Sequence, residues 1–412
     1  MKAEALALAL LATLASAPAR ANWITTWAAS PVTPGPAVGP LPAAASFSNV
    51  TLRQILRVSA GGRAVRIRFT NAYGPKPLAI GAARVALLDA NGVEVAGSSR
   101  TLRFGGSPQA IMPRGGPLVS DEVALSVPPL ARLAVSLYLP DDTGPCTCHA
   151  TGLDDTEVSA PGDHSAAPFT PASVNQSRAF LAAVEVDTPQ SGQTVVVFGD
   201  SISDGVGSTP KANRRWPDVL AERLVKRSGA TWGVANAGIS GNRVLQDFFG
   251  DSALARLDRD ALAVPGVAAI ILFEGVNDLG FSFGRFPGAM GEAMAPLSGR
   301  KVDAAQIIAG YRQIVARAHA QGVKVYGATI APYKGAATWT AEGEAERGKI
   351  NAFIRTGGLF DGVVDFDKIV RDPADPAAMR ADYHMGDHLH GNDVSYRAMG
   401  EAIDLSWFGK TR

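Results

Sequence analysis

Cysteine is almost absent from this chain of 412 residues: Cys146 and Cys148 are the only two, separated by Thr147. Charge of one sign is absent as well. Lys and Arg number 39 against 38 Asp and Glu, a formal net charge of +1, and no Lys/Arg-rich run or basic stripe interleaved with aromatics offers itself to phosphates. Nucleic acid is therefore not an expected partner. Long hydrophobic runs are missing too. The apolar stretch at residues 5–14 falls well short of the ~20 residues that a membrane span needs, and no later segment is apolar and long enough. No internal repeat or low-complexity tract appears.

What is present describes a globular, turn-rich protein, with 46% hydrophobic and 19% charged residues, 44 Gly and 27 Pro. Single cores stop growing near ~250–300 residues, so this length predicts two domains. The N-terminus has Lys2, the apolar stretch and then Ala19-Arg20-Ala21, the order of a secretory leader. A leader over residues 1–21, a mature chain from about Asn22 and a secreted or periplasmic location are the expectations. Export puts Cys146 and Cys148 in an oxidising compartment, where a local disulfide is favoured over a C-x-C metal site, since His149 is the only further ligand nearby.

Residues 22–190 carry short alternating runs broken by Gly, Pro and Asn: 50–58, 64–69, 83–88, 123–127 and 133–139. That pattern predicts antiparallel strands in a sandwich-like domain. Beyond the polar stretch 188–192 the period changes. Residues 194–198 and 267–273 are continuous apolar runs, as in parallel strands covered on both faces. Helical patterns follow at Trp216-Pro217, at Asp303 with Gln306 in a capping box, at 344–354 and at 394–403, with strands at 323–330 and 363–366. Strands alternating with helices predict a doubly wound parallel sheet over 191–412, its site at the carboxyl ends of the strands.

Four short motifs carry chemistry. Gly199-Asp200-Ser201 follows the first buried run directly, where a serine stands exposed beside free backbone N–H groups; alone, it matches any turn serine. Asp387-His388-Leu389-His390 precedes the closing helix. An Asp and a His three apart in a helical turn face one side, so the carboxylate can orient the ring. A metal cluster of His384, Asp387, His388 and His390 is the competing reading, without the matched ligand spacing of a catalytic zinc site. Ile239-Ser240-Gly241-Asn242 and Gly275-Val276-Asn277-Asp278 offer a glycine N–H and an asparagine amide, the donor types that stabilise an oxyanion. Gly280-Phe281-Ser282-Phe283-Gly284 fits G-x-S-x-G, yet Pro287 and Gly288 follow where an elbow needs a helix.

The blocks V-F-G-D-S-I-S-D-G, N-A-G-I-S-G-N-R, F-E-G-V-N-D-L-G and G-D-H-L-H, in this order, resemble the four signature blocks of the GDSL/SGNH hydrolases. W-I-T-T-W-A-A-S-P and F-T-N-A-Y-G resemble, more loosely, the exported branch with an N-terminal β-domain. The resemblance implies a flavodoxin-like three-layer α/β/α hydrolase domain after a β-sandwich-like one. It implies Ser201 as nucleophile, His390 as base, Asp387 as its orienter, and an oxyanion hole from the Ser201 N–H, the Gly241 N–H and the Asn277 side chain. The implied activity is carboxylic ester hydrolysis, acetyl esters included, through an acyl-enzyme. Its substrates would be acylated carbohydrates or small aryl or alkyl esters, with no metal or other cofactor. Acyl transfer by the same residues, and carbohydrate binding without turnover, are the alternatives. Gly391 departs from the proline of many relatives, which would loosen the turn that holds His390. Residues 279–299 have no clean period. Their aromatic and Met side chains fit an adaptable apolar wall for substrate, with Phe281 and Phe283 nearest the site, or a core-packing loop.

Overall fold

The computed structural model describes residues 21–35, 43–188, 191–227 and 231–409. The expected leader lies outside them except for Ala21, as do Pro189 and Gln190 of the polar stretch. No helix among the described residues is long and apolar enough to cross a membrane.

Antiparallel strands fill the first half. A six-stranded sheet runs in the order Ser173–Asn175, Thr156–Pro161, Val50–Arg57, Arg132–Leu139, Ala82–Leu88 and Arg100–Thr101. A four-stranded sheet orders Asn22–Ala28, Leu181–Thr188, Ala64–Thr70 and Pro117–Val119. Alternate residues of both meet in one core: Leu52, Leu56, Leu133, Val135 and Leu137 from the first, Ile24, Val65, Ile67, Phe69, Val184 and Val186 from the second. That is the sandwich the alternation predicts. The run 123–127 differs from expectation. It keeps alternate burial at Leu125 and Val127 but pairs through isolated bridges, Val65 to Val123 and Gly62 to Val127, in place of a ladder. Pro128 and Pro129 follow at once and cannot extend a ladder.

The second half is a five-stranded, all-parallel sheet in the order Trp232–Gly238, Gln193–Gly199, Val267–Phe273, Lys324–Ala328 and Gly362–Val364. By position in the chain this is 2-1-3-4-5, the flavodoxin-like order. Its helices are α1 (Ser201–Asp204), α2 (Trp216–Lys226), α3 (Ala253–Leu257), α4 (Val276–Phe283), α5 (Gly288–Met294), α6 (Ala304–Ala320), α7 (Ala341–Thr356), α8 (Phe366–Val370) and α9 (Asp393–Ala402). The predicted signals act where they stand: Pro217 lies in the first turn of α2, and Asp303 and Gln306 form the capping box of α6. The run 363–366 divides, because Asp365 accepts from the Lys368 N–H and so starts α8 at Phe366. The segment 279–299 is no loop; it completes α4 and forms α5.

The two halves share an edge. Thr25 donates its N–H to the Pro265 carbonyl and to Thr194 Oγ1, 3.1 and 3.0 Å, and the Val234 N–H reaches Ser59 Oγ at 2.8 Å.

Candidate active site

Strand order sets three carboxyl ends side by side, with Gly199 opposite Gly238 on one neighbour and Phe273 on the other. Each segment leaving these ends carries one expected group. The first turns into α1. Asp200 is its N-cap, with extended backbone and a carboxylate that accepts the Ile202 N–H at 2.9 Å, and so Ser201 takes the first helical position. Burial pushes the Asp200 carboxyl up to about 7, against the pull of the Ile202 N–H and of His390.

The second segment is the turn at Ile239-Ser240-Gly241-Asn242. The Ile239 N–H donates to the Gly199 carbonyl at 3.0 Å and the Asn242 N–H to the Ile239 carbonyl at 3.0 Å. Gly241 has φ +80, and a Cβ there would stand 2.4 Å from the Phe249 ring, so only glycine turns the chain this closely. In the third segment Gly275, at φ +119, starts α4. Asn277 Nδ2 donates to the Asn242 carbonyl at 3.0 Å. That bond uses one amide hydrogen and leaves the second available.

His390 closes the arrangement: Nε2 lies 2.9 Å from Ser201 Oγ and Nδ1 2.6 Å from Asp387 Oδ2. The spacing suggested a helical turn, but the backbone makes successive bends, with His388 at φ +61. Asp387 Oδ1 accepts the N–H groups of Leu389 and His390, 3.0 and 2.9 Å, so an Asx-type turn brings carboxylate and ring together. Partial burial raises the Asp387 carboxyl. The His390 ring and the two backbone N–H groups outweigh this and hold it far below the usual carboxylate range. With Nδ1 donating to that carboxylate, Nε2 can accept the serine proton. Gly391 reflects close packing, since a Cβ there would meet Ser395 Oγ at 2.5 Å and the Tyr396 ring at 2.9 Å. No convergent metal shell forms from the His384 cluster. His384 and His388 stack on each other, centroids 4.3 Å apart, and the His384 Nδ1 accepts the Gly386 N–H.

Phe281 and Phe283 part company. Two residues apart on α4, they face opposite ways. Phe281 packs on Phe248, 4.8 Å between centroids; Phe248 packs on Phe249, and Phe249 is the ring beside Gly241. Phe283 lies under the Lys301 ammonium at 4.2 Å. Ser282, inside α4, accepts the Val302 N–H at 2.9 Å, so the G-x-S-x-G match lacks the strand-to-helix turn of an elbow.

Sequence reasoning missed three buried supports. Arg256 donates to the carbonyls of Ala237 and Gly199, 2.6 and 3.0 Å, and to Asn242 Oδ1, 2.9 Å, and pairs with Glu274 at 3.3 Å and Asp260 at 3.4 Å. Asp278, next to Asn277, accepts the Val244 N–H at 2.8 Å; burial raises its carboxyl to about 6 despite that bond. Asp204, at the end of α1, accepts from Ser240. The available signals were a lone Arg among the apolar residues of 253–257 and two acids inside signature blocks.

The family model of the GDSL-like lipase/acylhydrolase family matches residues 197–398. Among solved structures, a carbohydrate acetylesterase family member from Sinorhizobium meliloti is similar at 19% identity and TM-score 0.38, covering 52% of this chain and 97% of its own. The native aryl esterase of M. smegmatis is similar at 16% identity and TM-score 0.38, covering 51% of this chain and 95% of its own. No curated protein matches. Through residues 197–398 the chain belongs to the GDSL-like lipase/acylhydrolase family and is a carboxylic ester hydrolase.

Proposed function

We propose that the chain is an exported serine esterase that forms an acyl-enzyme on Ser201, with acylated carbohydrates or small aryl or alkyl esters as substrates. The hydrogen-bonded series Ser201–His390–Asp387, 2.9 and 2.6 Å long, carries the reading. His390 takes the proton of Ser201 as the hydroxyl attacks the ester carbonyl. The N–H groups of Ser201 and Gly241 and the Asn277 amide receive the oxyanion. His390 returns the proton to the leaving alcohol, and water deacylates by the same route. Export follows from the leader pattern at residues 1–21, with residues 22–190 and 191–412 as the two domains. The Cα atoms of Cys146 and Cys148 lie 5.4 Å apart, within reach of a disulfide.

The Asp387 carboxyl, held far below the usual carboxylate range, should stay ionised and keep orienting the His390 ring under mild acid. A chelator should leave the rate unchanged; loss in EDTA that zinc restores would reject this mechanism. Asn277→Ala should lower kcat about 10²–10³-fold with little change in KM, because the amide acts on the transition state. A pure KM effect would move Asn277 to substrate binding.

Substrate choice follows from the aromatic side of the site, Phe248, Phe249 and Phe281. Phe281→Ala should lower kcat/KM roughly tenfold for aryl and longer acyl esters and spare acetate, as removal of an apolar wall does; Phe283→Ala should spare both. Nitrophenyl esters of increasing chain length and acetylated glycans, assayed in parallel, test this. Equal losses on every ester would make Phe281 structural.

A further inference from the structure

We infer that His149, a residue of the β-rich half, is a positioning residue for the oxyanion-binding turn at Gly241. The inference rests on the proposed roles of Ser201 and Gly241. His149 is buried at 6% exposure on the two-residue strand Cys148–His149. Its ring crosses to the other half of the protein. Nδ1 meets the Ser30 carbonyl at 2.9 Å, and Nε2 meets Asp204 Oδ1 at 3.0 Å.

Both partners are acceptors. A carbonyl and a carboxylate can each only receive a hydrogen bond, so the ring donates from both nitrogens and is the imidazolium. Burial alone would drive the proton off, but the Asp204 charge and the hydrogen bonds outweigh it and raise His149 above its ordinary range. The second oxygen of Asp204 is turned to the hydrolase half. Oδ2 accepts the Ser240 N–H at 3.2 Å and the Ser240 hydroxyl at 2.8 Å, and Ser240 Oγ also lies 3.2 Å from Thr151 Oγ1.

The consequence is mechanical. Asp204 ends the short helix that Ser201 begins, and Ser240 immediately precedes Gly241. One carboxylate therefore ties the nucleophile's helix to the turn whose N–H faces the oxyanion, and His149 fixes that carboxylate from outside the hydrolase half. A buried carboxylate with its cation removed seeks water or a proton and releases its other partners. The turn then loses the fixed direction on which oxyanion stabilisation depends.

His149→Ala should lower kcat roughly 10–10²-fold, less than loss of a donor itself, with KM changed less than about threefold. His149→Gln should recover part of that loss, because its amide can still donate to Asp204. Arg57→Ala serves as the structural control. It removes another contact between the halves, Arg57 Nη1 to Glu222 at 2.8 Å, away from the turn, and should leave kcat unchanged. If His149→Ala does not fold, Ser240→Ala provides the test, with an expected loss in kcat of about three- to tenfold. Ser201→Ala is run in the same assay. Activity retained in Ser201→Ala would overturn the reading of the site and this inference with it. An inactive Ser201→Ala beside full kcat in folded His149→Ala or Ser240→Ala, or an equal kcat loss in Arg57→Ala, would overturn this inference alone.

Discussion

Ser201→Ala should lower kcat for an aryl ester by about 10⁴–10⁶, with the fold and KM little altered, as expected when one member of a serine triad is lost. The magnitude follows from the geometry. His390 Nε2 meets the hydroxyl at 2.9 Å, in position to form the covalent intermediate, and what remains without it is binding and the oxyanion donors. Ser282→Ala is the natural control. Its hydroxyl accepts one backbone N–H from Val302, so its loss should cost little activity. Steady-state rates of the two variants on one substrate decide the matter, and the reverse ranking would move the nucleophile to Ser282.

Arg256→Met should destabilise the protein by about 3–5 kcal/mol, the range for breaking a buried charge pair from one side. Arg256 is 1% exposed. Its removal takes the guanidinium from the Ala237 carbonyl, Asn242 Oδ1 and the Glu274 carboxyl, and leaves the Gly199 carbonyl with the Ile239 N–H alone of these two donors. A buried acceptor left unpaired adds its own desolvation cost. Glu274 is poised for this: burial and the neighbouring Asp200 already raise its carboxyl well above the ordinary range, and Arg256 is the cation that opposes them. Urea unfolding followed by circular dichroism measures the loss. A change under about 1 kcal/mol would mean that water replaces the guanidinium, and that the strand ends do not depend on it.

The parallel sheet was legible because its signals are local. Continuous apolar runs at 194–198 and 267–273 have no polar face to misassign, and Pro217 and the Asp303/Gln306 box mark helix starts by chemistry that works within four residues. The grouping of Ser201, Gly241, Asn277 and His390 was legible by order alone, since each motif stands at a strand end or before the last helix.

What stayed hidden depends on long-range partners or on short elements. The bends at Asp387–His390 look like a helical turn because an Asx turn and a helix give the same three-residue nearness. The α4 and α5 helices were invisible in residues 279–299, where glycines interrupt the apolar period, and so Phe281 and Phe283 looked like neighbours on one wall. Arg256 and His149 bear on the site only through residues far away in sequence, and no spacing rule reaches that far.

The central claim is a covalent intermediate on Ser201, and trapping tests it most directly. The protein is incubated with a fluorophosphonate, digested, and its peptides read by mass spectrometry. The account predicts one adduct, on the peptide containing Ser201, lost in Ser201→Ala, retained in Ser282→Ala and slowed in His390→Ala, where no base remains to activate the hydroxyl. An adduct that persists in Ser201→Ala, or that maps to Ser282, would contradict it.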